Sequence, residues 1–130
     1  MFTIEQIKAA HSKVKSGTDF PNYIQDLMKL GVMGYETYVI DGHSLYFGRG
    51  GYTIGSEAKY PSLTVADTSE ADAFVKGLKA HQHGQTDYPS FCRMSAGQGV
   101  EKWVVDIEKM TCTYFDKAGR EMLVEQIPGS

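Results

Sequence analysis

The sequence predicts an α+β protein: an internal duplication of a helix-helix-three-strand unit, its mainly antiparallel sheet carrying the helices on it. Three observations lead there. A 68-residue offset lays Thr18-Asp19-Phe20-Pro21-Asn22-Tyr23 on Thr86-Asp87-Tyr88-Pro89-Ser90-Phe91. Without a gap it then sets Gly31-Val32 on Gly99-Val100, Tyr35 on Trp103, Tyr46-Phe47 on Tyr114-Phe115, and Gly51 on Gly119. Self-similarity of this kind bears on architecture before anything else. Within each copy the apolar residues recur first at helical spacing and then alternate with period two. Finally, the chain has 130 residues, 42% hydrophobic and 22% charged, close to the globular norm. Half of it alone would bury little core. One domain of two pseudo-repeats is therefore expected, about 1–56 and 69–127, joined by 57–68.

Each element has a local reason. Thr3 with Gln6 makes a capping box, and Ile4, Ile7, His11 and Val14 form one stripe, so a helix is expected over about 3–15. Asp19 before Phe20-Pro21 reads as an N-cap with an early Pro, and Gly31 as the stop. Residues 35–40 alternate as a strand, Asp41-Gly42 supplies turn chemistry, and 45–47 return. Gly48-Arg49-Gly50-Gly51 turns the chain into a strand over 52–54. In the second half, Ser69 with Asp72 suggests another capping box, with Ala71, Phe74, Val75 and Leu78 facing inward over about 69–82. Thr86-Asp87-Tyr88-Pro89 opens a shorter helix ended by Gly97 and Gly99. Strands over 101–107, 111–115 and 121–127 follow, with Asp116–Gly119 as a hairpin turn whose Gly takes the left-handed position. Residues 55–67, interrupted by Pro61, join the halves and are candidates for an edge strand.

Composition narrows the function classes. The net charge is −3 with acids and bases interspersed, so no Lys/Arg stripe exists to neutralise several phosphates, which argues against a nucleic-acid partner. No apolar run approaches the ~20 residues that span a bilayer. The opening Met-Phe-Thr-Ile-Glu-Gln lacks a basic region and an apolar signal core, so a cytoplasmic location without membrane attachment is expected. Cys92 and Cys112 have no CxxC spacing and read as buried thiols.

Chemistry-bearing motifs are few. The repeated Thr-Asp-(Phe/Tyr)-Pro reads as helix capping, because a single active site needs only one copy. His81 and His83 sit at a helix end, where i and i+2 diverge by roughly 200° and cannot share an ion. His11 and His81 each continue an apolar stripe, on helices from opposite halves, and so are candidates for a shared site where the repeats meet. Gly48–Gly51 lacks the GKS/T ending of a phosphate loop and precedes a strand. No nucleophile elbow or metal-ligand spacing occurs, and neither a cofactor nor a metal is called for. The strand aromatics are the remaining resource: Tyr38, Tyr46 and Arg49 are candidates for an aromatic and cationic surface on the outer sheet face.

The opening segment at 1–14, Gly-Val-x-x-Tyr-Glu-Thr at 31–37, Gly-Val-Glu-Lys-Trp-Val-Val-Asp at 99–106 and Met-Thr-Cys-Thr-Tyr-Phe-Asp-Lys-Ala-Gly at 110–119 resemble the YdfO-like family. The resemblance runs the whole length. It implies an α+β fold and a prophage-associated origin, sometimes under the label "phage envelope protein", and it supplies no catalytic residues. The leading expectation is a non-enzymatic accessory protein that binds a protein or a small ligand at the seam of the repeats or on the sheet face. The alternatives are a small enzyme with a His11/His81 pocket, and a structural homodimer.

Overall fold

The computed structural model describes residues 2–15 and 17–128. Helices α1 (Ile4–His11) and α2 (Phe20–Leu30) precede strands β1 (Gly34–Tyr38), β2 (Ser44–Phe47) and β3 (Thr53–Gly55). The same order recurs with α3 (Ala71–Gln82), α4 (Tyr88–Gly97), β4 (Val100–Asp106), β5 (Thr111–Asp116) and β6 (Glu121–Gln126). All six strands form one antiparallel sheet in the order β3-β2-β1-β4-β5-β6, so the first strand of each half meets the other at the centre. There Glu36 faces Val104, its own equivalent at the 68-residue offset, while Tyr35 faces Val105 and Thr37 faces Trp103. The Glu36–Val104 pair thus lies at the centre of the sheet, where the first strands of the two halves meet.

Local chemistry accounts for most boundaries. Gln6 N–H donates to the Thr3 hydroxyl at 3.2 Å, and Thr3 N–H to the Gln6 side-chain oxygen at 2.9 Å, completing the first capping box. The helix ends at His11 and does not reach residue 15; Ser12 caps it, and its hydroxyl donates to Ala9 O at 2.6 Å. Asp19 makes no side-chain cap bond to α2, because its carboxylate accepts from Lys15 N–H at 2.8 Å. Asp87 does cap α4, accepting from Ser90 N–H at 2.8 Å. The capping box expected at Ser69 and Asp72 does not form. Glu70 occupies the cap position without a side-chain bond, and its N–H donates to Gln98 O at 2.9 Å, tying the start of α3 to the end of α4. Gly31 and Gly99 end α2 and α4 with φ of 96° and 88°. Residues 56–70 form no strand. Isolated bonds hold them instead, such as Lys59 N–H to Asp41 O at 2.7 Å and Leu63 N–H to Ile40 O at 2.6 Å. Pro61 between those two rungs removes a donor that a continuous ladder would need.

Alternation divides the sheet. Tyr35, Thr37, Ser44, Tyr46, Trp103, Val105, Cys112 and Tyr114 are buried on the face that carries the helices. Glu36, Tyr38, Leu45, Phe47, Lys102, Val104, Thr113 and Phe115 lie half-buried on the other. Each helix contributes a few anchors to the core: Ile7 and Ala10 from α1, Tyr23, Ile24 and Leu27 from α2, Phe74 and Leu78 from α3, and Phe91, Cys92 and Ala96 from α4.

Candidate functional site

The helix-covered face does not close completely. A cavity of about 420 Å³ remains between the sheet and the helices of both halves. Its size falls in the range of sites for small organic molecules. Two aromatic series build its walls. In the first half, His11 stands edge-on to Tyr23 with ring centroids 5.3 Å apart, Tyr23 meets Tyr35 at 6.3 Å, and Tyr35 meets Tyr46 at 5.3 Å. In the second, His81 stacks on Phe91 at 4.4 Å, Phe91 meets Trp103 at 5.7 Å, and Trp103 meets Tyr114 at 6.1 Å. Tyr23/Phe91, Tyr35/Trp103 and Tyr46/Tyr114 are pairs 68 residues apart in sequence, and all six line this cavity. Tyr88 bridges the two series, 6.1 Å from His11 and 6.5 Å from Trp103.

Polar groups are sparse and placed along these walls. Both histidines line the cavity. Burial lowers the His11 pKa, with the Lys59 charge adding to the effect, so its imidazole is neutral at pH 7. Burial lowers that of His81 too, against an opposing hydrogen bond to Thr86. His81 Nδ1 lies 3.1 Å from both the carbonyl and the hydroxyl of Thr86. A carbonyl can only accept, so the neutral ring carries its proton on Nδ1 and leaves Nε2 as the acceptor. On the floor, Thr37 and Ser44 share a hydrogen bond of 2.7 Å between their hydroxyls. Glu125, on the inner face of β6 opposite Cys112, accepts from Gln82 Nε2 at 2.8 Å. Burial pushes the Cys112 thiol up to about 12, so it offers no thiolate at neutral pH. Cys92 is also raised by burial and lies beside the Tyr60 and Tyr88 hydroxyls.

The five candidate residues separate into two groups. His11, His81 and Tyr46 belong to the cavity. Tyr46 is only 4% exposed and faces the helices, so it does not join Tyr38 and Arg49 in an outer-face surface. Counting from Leu45 or from Tyr46 gives the same alternation in sequence, and only the register of β2 on β1 decides which face is which. Tyr38 lies on the outer face, stacked on His43 at 4.6 Å with the Lys102 ammonium 5.6 Å from its ring. Arg49 is exposed in the turn between β2 and β3. Glu125, Gln82, Tyr23 and Tyr88 were not singled out by sequence. The signal available for Tyr23 was its alignment with Phe91; Glu125, on an edge strand among other acids, carried none.

Fold and cavity together define a two-layer α+β protein with an aromatic interior site at the junction of its halves. The chain belongs to the family described as "Protein of unknown function (DUF1398)", whose model matches residues 8–126. It is 31% identical over 103 residues to the uncharacterised proteins Rv2012 of Mycobacterium tuberculosis and Mb2035 of Mycobacterium bovis. The match covers 74% of this chain and 59% of each relative, so the chain spans well under two thirds of the relatives' length. Among the described residues no helix is long and apolar enough to cross a membrane.

Proposed function

We propose that this protein is a non-enzymatic binding module whose ligand, a small organic molecule, occupies the cavity at the junction of the two halves. On the YdfO-like resemblance it is an accessory protein of prophage type. The observation that carries the reading is the cavity itself: about 420 Å³, walled by aromatic rings, with a few convergent polar groups. A half-open cavity of that size in a chain of only 130 residues leaves its aromatic walls without the contacts a filled core would give them. Restoring those contacts is what a ligand supplies.

The single tryptophan, Trp103, lines the cavity and reports on it. N-phenyl-1-naphthylamine, an uncharged fluorescent probe, should bind with saturable 1:1 stoichiometry and quench Trp103 by energy transfer. A Val14→Phe substitution at the cavity wall should weaken that binding at least several-fold. Non-saturable binding, or full affinity in the variant, would place the probe elsewhere and remove the reading.

A catalytic reading has one observation in its favour: His11 and His81 face the same cavity, with the His81 tautomer held by Thr86. It requires a bound molecule to change chemically. The mass of a ligand extracted from the purified protein, before and after prolonged incubation, separates the two; an unchanged mass favours binding alone.

A further inference from the structure

The cavity has a polarity that says which ligands it suits. Glu125 is half-buried at its wall, opposite Cys112 across the β5–β6 pair and on the same lining as Tyr114. Among the described residues no Lys, Arg or His lies within ion-pair distance of it; its only recorded partner is the Gln82 amide N–H. Lys15 and Lys59 also line the cavity, but neither lies within ion-pair distance of Glu125. Glu125 is therefore a half-buried carboxylate on the cavity wall whose side-chain partner is one neutral donor, so a bound cation can add a charge-assisted hydrogen bond there. Trp103 and Tyr114 line the same cavity, and aromatic rings attract positive charge to their faces.

We propose that the cavity takes an arylalkylamine, an aromatic ring on a short chain that ends in an alkylammonium, with the ammonium on Glu125 and the ring between the aromatic walls. This rests on the binding reading above and adds the class of ligand. Phenol oxygens accept hydrogen bonds from the remaining ammonium protons. An aromatic carboxylate of the same shape would meet Glu125 with like charge.

The test compares three molecules of nearly one shape by calorimetric titration of the intact protein at pH 7: 2-phenylethylamine, 2-phenylethanol and 3-phenylpropionate. The amine should bind about tenfold tighter than the alcohol, the worth of one charge-assisted hydrogen bond. The carboxylate should bind weakest. Glu125→Gln should bring the amine to within about twofold of the alcohol when both are measured in the variant. The wild-type comparison stands by itself if that variant fails to fold. Alcohol binding as tight as the amine, or an amine preference that survives Glu125→Gln, overturns the proposal. If N-phenyl-1-naphthylamine still binds in that event, the cavity reading stands and only the ligand class falls; if no molecule binds, both fall.

Discussion

Tyr38 and Tyr46 show how much one residue's setting depends on register. Both are strand tyrosines, but Tyr46 is 4% exposed among the rings of the cavity, while Tyr38 lies on the open face under His43. Removing a buried aromatic costs about 3–5 kcal/mol, and a half-exposed one far less. Tyr46→Ala should therefore cost about 3 kcal/mol, the low end because the site already borders a void. Tyr38→Ala should cost under about 1 kcal/mol; urea titrations of the two variants make the comparison, and similar losses would contradict the assignment of faces. The two aspartates of the repeated Thr-Asp-(Phe/Tyr)-Pro motif divide in the same way. Asp87→Ala should expose the Ser90 amide to hydrogen exchange, whereas Asp19→Ala should expose Lys15 and leave the first turn of α2 as it was. The motif was legible as helix-start chemistry. Which of its carboxylates caps the helix was not, because the alternative donor, Lys15 N–H, is brought near only by the way the chain leaves α1.

At the scale of elements, the same turn in the two halves meets different surroundings. Gly31 and Gly99 both end a helix in the left-handed region, but a Cβ at Gly31 would meet nothing within 4 Å, whereas at Gly99 it would lie 2.4 Å from Thr68 O. Gly31→Ala should lose about 1 kcal/mol, the conformational cost alone. Gly99→Ala should lose at least twice that, because the backbone at Thr68 must also move; equal losses in thermal melts would show that it yields freely. The hairpins differ likewise: Gly42 takes φ 77° and its equivalent Met110 takes φ 54°, which for a non-glycine stores about 1 kcal/mol. The helices also set the response to pH. Burial holds the folded His11 and His81 pKa values below the ordinary histidine value of about 6.5, so below that pH the unfolded chain takes up protons first. Their contribution is whole above about 6.5 and is lost as pH falls towards their folded values. Asp87 works in a lower window: hydrogen bonds from Ser90 hold its pKa below the usual 3.8, so its contribution is lost only below about that pH. Stability should thus fall between pH 7 and 5, and a His11→Gln/His81→Gln double variant should flatten that slope. A slope unchanged in the double variant would assign it to other groups.

For the whole molecule, the central β1–β4 pairing makes each half a wall of the other's site. The element order and the antiparallel sheet were legible because they rest on local period and on turn residues. That the halves share one sheet was not, since a helix-helix-meander unit can equally form two packed sheets, and pairing between strands 66 residues apart leaves no local trace. The cavity was legible only in part: the stripe histidines pointed to the seam, but the inward choice of Tyr46 and the position of Glu125 depend on that central register. One consequence concerns cooperativity. Cut apart, each half would bare the hydrogen-bonding edge of β1 or β4 and one aromatic series, Tyr23-Tyr35-Tyr46 or Phe91-Trp103-Tyr114, both of which the other half now covers. The halves should therefore not melt separately. Trp103 fluorescence reads the seam, where it faces Thr37 of the first half, and far-ultraviolet circular dichroism reads both halves, so the two transitions should coincide in midpoint and steepness. A Trp103 transition displaced from the circular dichroism curve would mean that the central pairing is weaker than either half's own core, and that the cavity opens before the fold is lost.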